Sequence, residues 1–268
     1  MEEAAKICTC RRRWFVRIHQ PCGVMSPIRA AISCGDRIGC VLCAHARAGK
    51  VAIRVEKLFA GVERPKFLTL TVKNVPTITT TTYGELRRSF TRFRRILERI
   101  APGALRGGVY VIETTFHAKG SSRKSGGVYE SDEWHPHIHA LLDAGYIPQA
   151  TLSDLWSEAT HGWGHMVDIR AADKGSIAEL AKYPTKQLDL AGDNLRLFRA
   201  VMRGQKLVVP FGSMYGVKLE DDKDHEDEDR ELAPECSCGL VGPWHFETVL
   251  LTITEATEAV ARGRGPSP

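Results

Sequence analysis

The sequence predicts an α+β protein, and three stretches carry that expectation. Phe67-Leu68-Thr69-Leu70-Thr71-Val72 alternates apolar residues with threonines at period two, as a half-buried strand does. Val109 to Phe116 is a second apolar, β-branched run, and Trp134 to Leu142 supplies a third. Between the first two, Leu86, Phe90, Phe93, Leu97 and Ile100 recur at spacings of four, three, four and three, which gathers them on one helix face.

Length and composition set the frame. A chain of 268 residues suits one large domain with appendages, or two domains, and 43% hydrophobic residues suffice for a core. The charge is unevenly spread. Residues 1–66 hold 13 Lys/Arg against 5 Asp/Glu, whereas residues 220–235 hold 2 against 10. A basic front end suits a polyanionic partner or a solvated face. No apolar run is long enough to span a membrane, and no signal-peptide core follows Met1, so a cytoplasmic protein without a membrane partner is expected. In that compartment, eight cysteines are read as thiols or metal ligands rather than disulfides.

In chain order, the leader is rich in Arg and Cys and weak in periodicity. Cys40-Val41-Leu42-Cys43 has the two-residue gap that lets both sulfurs meet one tetrahedral zinc. Cys34 lies six residues upstream, and Cys22 or His45 is the candidate to complete a structural zinc set; buried thiols are the plain alternative. Arg11-Arg12-Arg13-Trp14 offers a phosphate-contacting patch beside a stacking aromatic. After the first strand, Thr77 to Thr82 reads as a loop, and Gly84 to Ile100 as the amphipathic helix. Its arginines 87, 88, 92, 94, 95 and 99 cover much of the remaining surface. Ala101-Pro102-Gly103 stops it. The strand after Gly107-Gly108 carries Glu113, a carboxylate that is costly to bury without a partner.

Residues 117–133 read as a Gly/Ser/Lys hairpin loop, which makes an antiparallel pairing of 109–116 with 137–142 natural. On a strand, residues two apart share a face, so His137 and His139 point together while Ile138, Ala140 and Leu142 turn the other way. His135 falls on the same face, but Pro136 is expected at the strand start. Pairing places Glu113 beside the two imidazoles. A carboxylate and two imidazoles make a three-point site for Mn²⁺ or Mg²⁺ that leaves positions for water and phosphate oxygens.

Leu152 to Glu158 reads as a helix, His161-Gly162-Trp163-Gly164-His165 as a turn whose histidines are more readily surface residues than ligands, and Met166 to Arg170 as a strand. Ser176 is expected to cap the next helix with Glu179 at the capping-box position. Glu179 and Tyr183 are one turn apart, Lys186 lies three beyond, and Pro184 should kink the helix. Leu195 to Val201 is a further helix. Residues 204–217 read as Gly-punctuated strand or turn, 219–235 as a solvated acidic linker, and 236–268 as a tail. Cys236-Ser237-Cys238 repeats the spacing of Cys8-Thr9-Cys10, and the two pairs around one zinc are an alternative arrangement.

The order of these motifs resembles a known family. Phe67-Leu68-Thr69-Leu70-Thr71, then Ile112-Glu113-Thr114, His137-Ile138-His139 and Glu179-x-x-x-Tyr183-x-x-Lys186 are similar to the replication initiator (Rep) proteins of rolling-circle plasmids, within the HUH endonuclease superfamily. The resemblance covers residues 64–200. It implies a central antiparallel sheet of four to five strands flanked by helices, with the His strand central. It divides the chain into a Cys/Arg-rich extension (1–63), a catalytic domain (64–218), the linker and the tail. It implies that His137, His139 and Glu113 hold a divalent metal, that Tyr183 is the nucleophile assisted by Lys186, and that Glu179 activates the terminating water. The activity so implied is nicking and rejoining of single-stranded or hairpin origin DNA through a 5′-phosphotyrosine. A host helicase would unwind, since no Gly-Lys-Ser/Thr phosphate loop is present, and a host polymerase would extend the 3′-OH. The alternatives are a single-tyrosine transposase of the same chemistry, and a non-catalytic zinc-binding nucleic-acid adaptor built around Cys34, Cys40 and Cys43.

Overall fold

A computed structural model describes residues 10, 13–19, 21–22, 25–30, 34, 36, 38, 40–123, 126–173, 175–180, 190, 192–217, 244–250 and 252. They fall into two compact units, one within residues 1–50 and 218–268, the other spanning Val51–Val217.

In the first unit, β1 (Arg13–His19) pairs antiparallel with β2 (Met25–Ala30) and with β8 (Trp244–Leu250), in the order β2-β1-β8. The leader and the segment beyond the acidic run therefore share one sheet. Helix α1 (Val41–Phe59) begins in this unit, with Leu42, Cys43 and Ala44 buried in its first turn. Its second half belongs to the other unit. There Val51, Val55 and Phe59, four residues apart, are buried in the same core.

The second unit is an antiparallel five-stranded sheet with helices, as the family resemblance implies. Its strands are β3 (Lys66–Val72), β4 (Leu105–His117), β5 (Glu133–Ala144), β6 (Gly164–Ala171) and β7 (Val208–Gly212), in the order β6-β3-β5-β4-β7. The His strand, β5, is central. Alternation gives the sheet two faces. One carries Leu68, Leu70, Tyr110, Ile112, Ile138, Ala140 and Leu142. On the helices that join these strands, α2 (Thr80–Ile100) buries Tyr83, Leu86, Phe90, Phe93 and Leu97, and α3 (Gln149–Ala159) buries Leu152, Leu155 and Trp156. Phe90 lies 4.6 Å from Tyr110, and Phe93 meets Trp156 edge-on at 6.0 Å, geometries favoured by ring quadrupoles. Trp156 also donates its indole N–H to the Thr71 carbonyl at 2.9 Å. The second face carries Phe67, Thr69, Thr71, Val109, Val111, Glu113, His137, His139 and Leu141. Val51, Val55, Phe59 and Leu180 pack against its apolar end. Helix α4 (Gly192–Met202) buries Phe198, which stacks on Trp134.

Four local expectations are corrected. Helix α2 starts at Thr80 rather than Gly84, because Thr79 and Thr82 cap it reciprocally through hydroxyl-to-backbone bonds of 3.1 and 3.2 Å. Gly107 and Gly108 lie inside β4 rather than before it. A Cβ on Gly108 would stand 2.3 Å from the Leu141 carbonyl oxygen, so only glycine lets β4 lie this close to β5.

Pro136 lies within β5, not at its start. Trp134 exchanges both backbone bonds with Val75, and backbone groups two residues apart point the same way, so the Pro136 nitrogen faces the β3 side. The β3 ladder has ended there, its last partner being Thr71 opposite His137, and no ladder bond to β4 is lost. Finally, Ser176 does not cap the helical segment 175–180. Asp173 does, accepting from the Ser176 N–H and hydroxyl at 2.8 and 2.9 Å, while the Ser176 hydroxyl accepts from the Asp173 N–H. These bonds stabilise the ionised carboxylate and hold the Asp173 pKa below the usual range.

Candidate metal centre

Register assembles the site. Glu113 on β4 stands directly opposite His137 on β5, and Thr69 on β3 stands opposite His139. All lie on one face, in the middle of the sheet. Glu113 is 3% exposed, His137 8% and His139 7%, so a carboxylate has been taken almost entirely out of water. Glu113 Oε2 lies 2.8 Å from His137 Nε2 and 2.9 Å from His139 Nε2. The two imidazoles meet edge-to-face, centroids 4.5 Å apart.

The partners on the far side of each ring identify what this arrangement accommodates. His137 Nδ1 is 3.1 Å from the His135 carbonyl, which can only accept, so Nδ1 carries the proton. In the neutral ring Nε2 is then a bare lone pair facing a carboxylate oxygen. His139 Nδ1 meets the Thr69 hydroxyl at 3.1 Å, which leaves its Nε2 aimed at the same oxygen. Two imidazole nitrogens and a carboxylate oxygen thus converge in one buried space. Nitrogen and oxygen donors at these positions fit a divalent ion, with the outer hydrogen bonds fixing ring orientation.

The histidine row extends outward. His135 lies 5.2 Å from His137, and its Nδ1 meets Asn74 Oδ1. Burial, then the neighbouring His137 ring, pushes its pKa down to about 4, so its ring is neutral at physiological pH. His117 follows at 6.2 Å and stacks on Tyr129, over whose ring Arg123 lies at 4.5 Å. No sequence motif marks Asn74 or His117, and Thr69 is marked only as one of the alternating threonines of β3. The alternating threonines of β3 were a visible signal, but their opposition to the histidines depends on register.

Glu179 is outside this cluster. Its carboxylate pairs with Arg170 at 2.8 Å on β6. Arg170 in turn lies over the Phe67 ring, whose centroid is 5.6 Å from that of His139. Glu179 therefore stands on the triad's side of the sheet. Leu180, the next residue, is buried in the cluster with Val109, Val111 and Leu141. Tyr183 and Lys186 lie outside the described residues, as do Arg11 and Arg12, Cys8, Cys236 and Cys238, and the acidic run. His161 is exposed in a turn at φ 55°, consistent with a surface role. Several α2 arginines are engaged within the fold. Arg92 donates to the Ala159 carbonyl and pairs with Glu85, Arg87 donates to the Lys206 carbonyl, and Arg94 lies 4.5 Å over Phe211.

In the first unit, Cys34, Cys40 and Cys43 do come together, and the fourth sulfur is that of Cys10, not Cys22 or His45. Cys22 is exposed. Burial pushes the Cys10 thiol well up and that of Cys40 to about 11.

A family model described as Rep_1, replication protein, matches residues 26–236. The chain is similar to the protein named "Protein rep" of Streptococcus pneumoniae serotype 2 (strain D39 / NCTC 7466), 30% identical over 213 residues that cover 69% of this chain and 62% of that one. It is also similar to "Protein rep" of Staphylococcus aureus, 27% identical over 179 residues, 59% of this chain and 72% of that one. The chain thus spans less than two thirds of the length of the first relative. No solved structure matches. Among the described residues no helix is long and apolar enough to cross a membrane.

Proposed function

This chain belongs to the Rep_1 replication protein family, and on that premise we propose that it initiates rolling-circle replication of a plasmid by nicking and rejoining single-stranded origin DNA. The observation that carries the reading is the buried convergence of His137 and His139 on one carboxylate oxygen of Glu113. These three residues would hold Mn²⁺ or Mg²⁺. When bound, that ion polarises a phosphate and offsets the negative charge that grows during displacement.

Tyr183 is the proposed nucleophile. A free phenol has a pKa near 10, so about one in a thousand is ionised at neutral pH. Lys186, three residues on, would stabilise the anion. Attack on the scissile phosphorus forms the tyrosine–phosphate bond as the bond to the 3′ oxygen breaks. The products are a 5′-phosphotyrosine and a 3′-OH that a polymerase can extend. The covalent link keeps the phosphodiester available for rejoining. Leu180, three positions before Tyr183 in the sequence, is buried in the core cluster that also holds Val111, the β4 partner of His139.

Glu179 is the proposed base for the terminating water. Its ion pair with Arg170 has both side chains more than a third exposed, so solvent screening makes that pair a weak one. DNA must enter unpaired, since a duplex hides its backbone geometry from such a site. A host helicase and polymerase complete the cycle.

The test uses a pool of random-sequence single-stranded oligonucleotides with Mn²⁺, followed by denaturing gels. A covalent protein–DNA adduct is expected with the native chain and none with Tyr183→Phe. An undiminished adduct in Tyr183→Phe, or its absence from the native chain across the pool, would overturn the proposal.

A further inference from the structure

We propose that Cys10, Cys34, Cys40 and Cys43 together bind one structural Zn²⁺ ion, and that this ion fastens both ends of the β1–β2 hairpin to the start of α1. This inference stands independently of the nicking reaction. Cys10 lies outside the residues matched by the family model, so the complete ligand set is not inherited from that match.

The sulfur positions carry the argument. All four lie within 4.8 Å of one another, with Cys10 and Cys43 at 3.3 Å and Cys34 and Cys43 at 3.6 Å. A tetrahedral zinc with bonds of about 2.3 Å separates its sulfurs by about 3.8 Å. A disulfide would need about 2.05 Å, and none of the described cysteines forms one. Cys10, Cys40 and Cys43 are buried and Cys34 half-buried, which suits a closed structural site.

Backbone donors complete the sulfur environment. The Cys34 N–H points at Cys10 Sγ at 3.2 Å, and the Cys43 N–H at the Cys40 sulfur. Cys43 also lies in the first turn of α1, where the helix dipole favours negative charge. N–H groups directed at sulfur suit metal-bound thiolates. Soft sulfur donors select zinc, copper(I) or iron, and a closed tetrahedral set is the usual structural zinc arrangement.

Topology supplies a role. Cys10 precedes β1, Cys34 follows β2, and Cys40 and Cys43 open α1. One ion thus ties three chain segments at the base of a small three-stranded sheet, where a limited core benefits from a staple.

The full chain, purified under reducing conditions without added metal, would be assayed for metals by inductively coupled plasma mass spectrometry. The variants are Cys10→Ser, Cys22→Ser and Glu113→Gln. About one equivalent of zinc is expected in the native chain, retained in Cys22→Ser and Glu113→Gln and lost in Cys10→Ser. Zinc lost in Glu113→Gln but kept in Cys10→Ser would assign it to the histidine centre and overturn the proposal. So would less than about half an equivalent of zinc in the native chain, or iron or copper in its place. Because Cys10→Ser can misfold, a mercurial titration of the native chain provides an independent readout. Zinc release in step with cysteine modification is expected, and modification without release would overturn the site.

Discussion

Thr69→Val tests whether the hydroxyl behind His139 tunes the centre. Valine matches threonine in shape and suits a strand, so β3 should survive the change. What is lost is the 3.1 Å contact between the Thr69 hydroxyl and His139 Nδ1, leaving the ring without the partner that holds its tilt. A neutral hydrogen bond contributes about 0.5–1.5 kcal/mol, and removing such an outer partner weakens metal binding by about 10–100-fold. The lower end of that range is expected, because Phe67 against the ring still limits its motion. The apparent Mn²⁺ affinity should therefore fall about tenfold, equivalent to about 1.4 kcal/mol. Calorimetric Mn²⁺ titration of the native chain, Thr69→Val and Thr71→Val would measure it. Thr71→Val is the control, since His137 orients itself through the His135 carbonyl. Adduct yield in Thr69→Val should recover at saturating Mn²⁺. An unchanged affinity, or an equal loss in Thr71→Val, would refute the orienting role.

Other perturbations reach different parts of the molecule. Glu113→Gln keeps the shape but removes the charge, and should abolish metal binding by the second unit and lower adduct formation at least about 100-fold, with circular dichroism unchanged. Glu179→Ala should retain first-strand nicking yet accumulate unterminated product in a time course; equal loss of both steps would remove the need for a water-activating carboxylate. Leu141→Ala hollows the apolar end of the triad's face, where Leu141 is fully buried. It should cost about 2–5 kcal/mol in denaturant unfolding, and a change below about 1 kcal/mol would mean the cluster does not bear on stability.

Periodicity and residue chemistry were enough to anticipate the strands around 67–72, 109–116 and 137–142, the long helix between the first two, and the pairing that sets Glu113 beside His137 and His139, whereas the central place of the His strand was what the family resemblance implied. The former features are local, or follow from a short hairpin whose register a two-residue period constrains. The structure brought in contacts distant in sequence. Thr69 meets His139 across 70 residues, Cys10 meets Cys43 across 33, and the strand of Trp244–Leu250 pairs with that of Arg13–His19. Helix α1 was partly legible in the spacing of Val51, Val55 and Phe59, but the basic leader around it masked the pattern.

What the sequence by itself determined was which side chains face the same way along each strand, because alternation is a property of the extended backbone. What only the tertiary structure decided was which of those side chains oppose one another. Register between strands depends on burying both faces of the sheet at once, a condition that no single segment can meet alone.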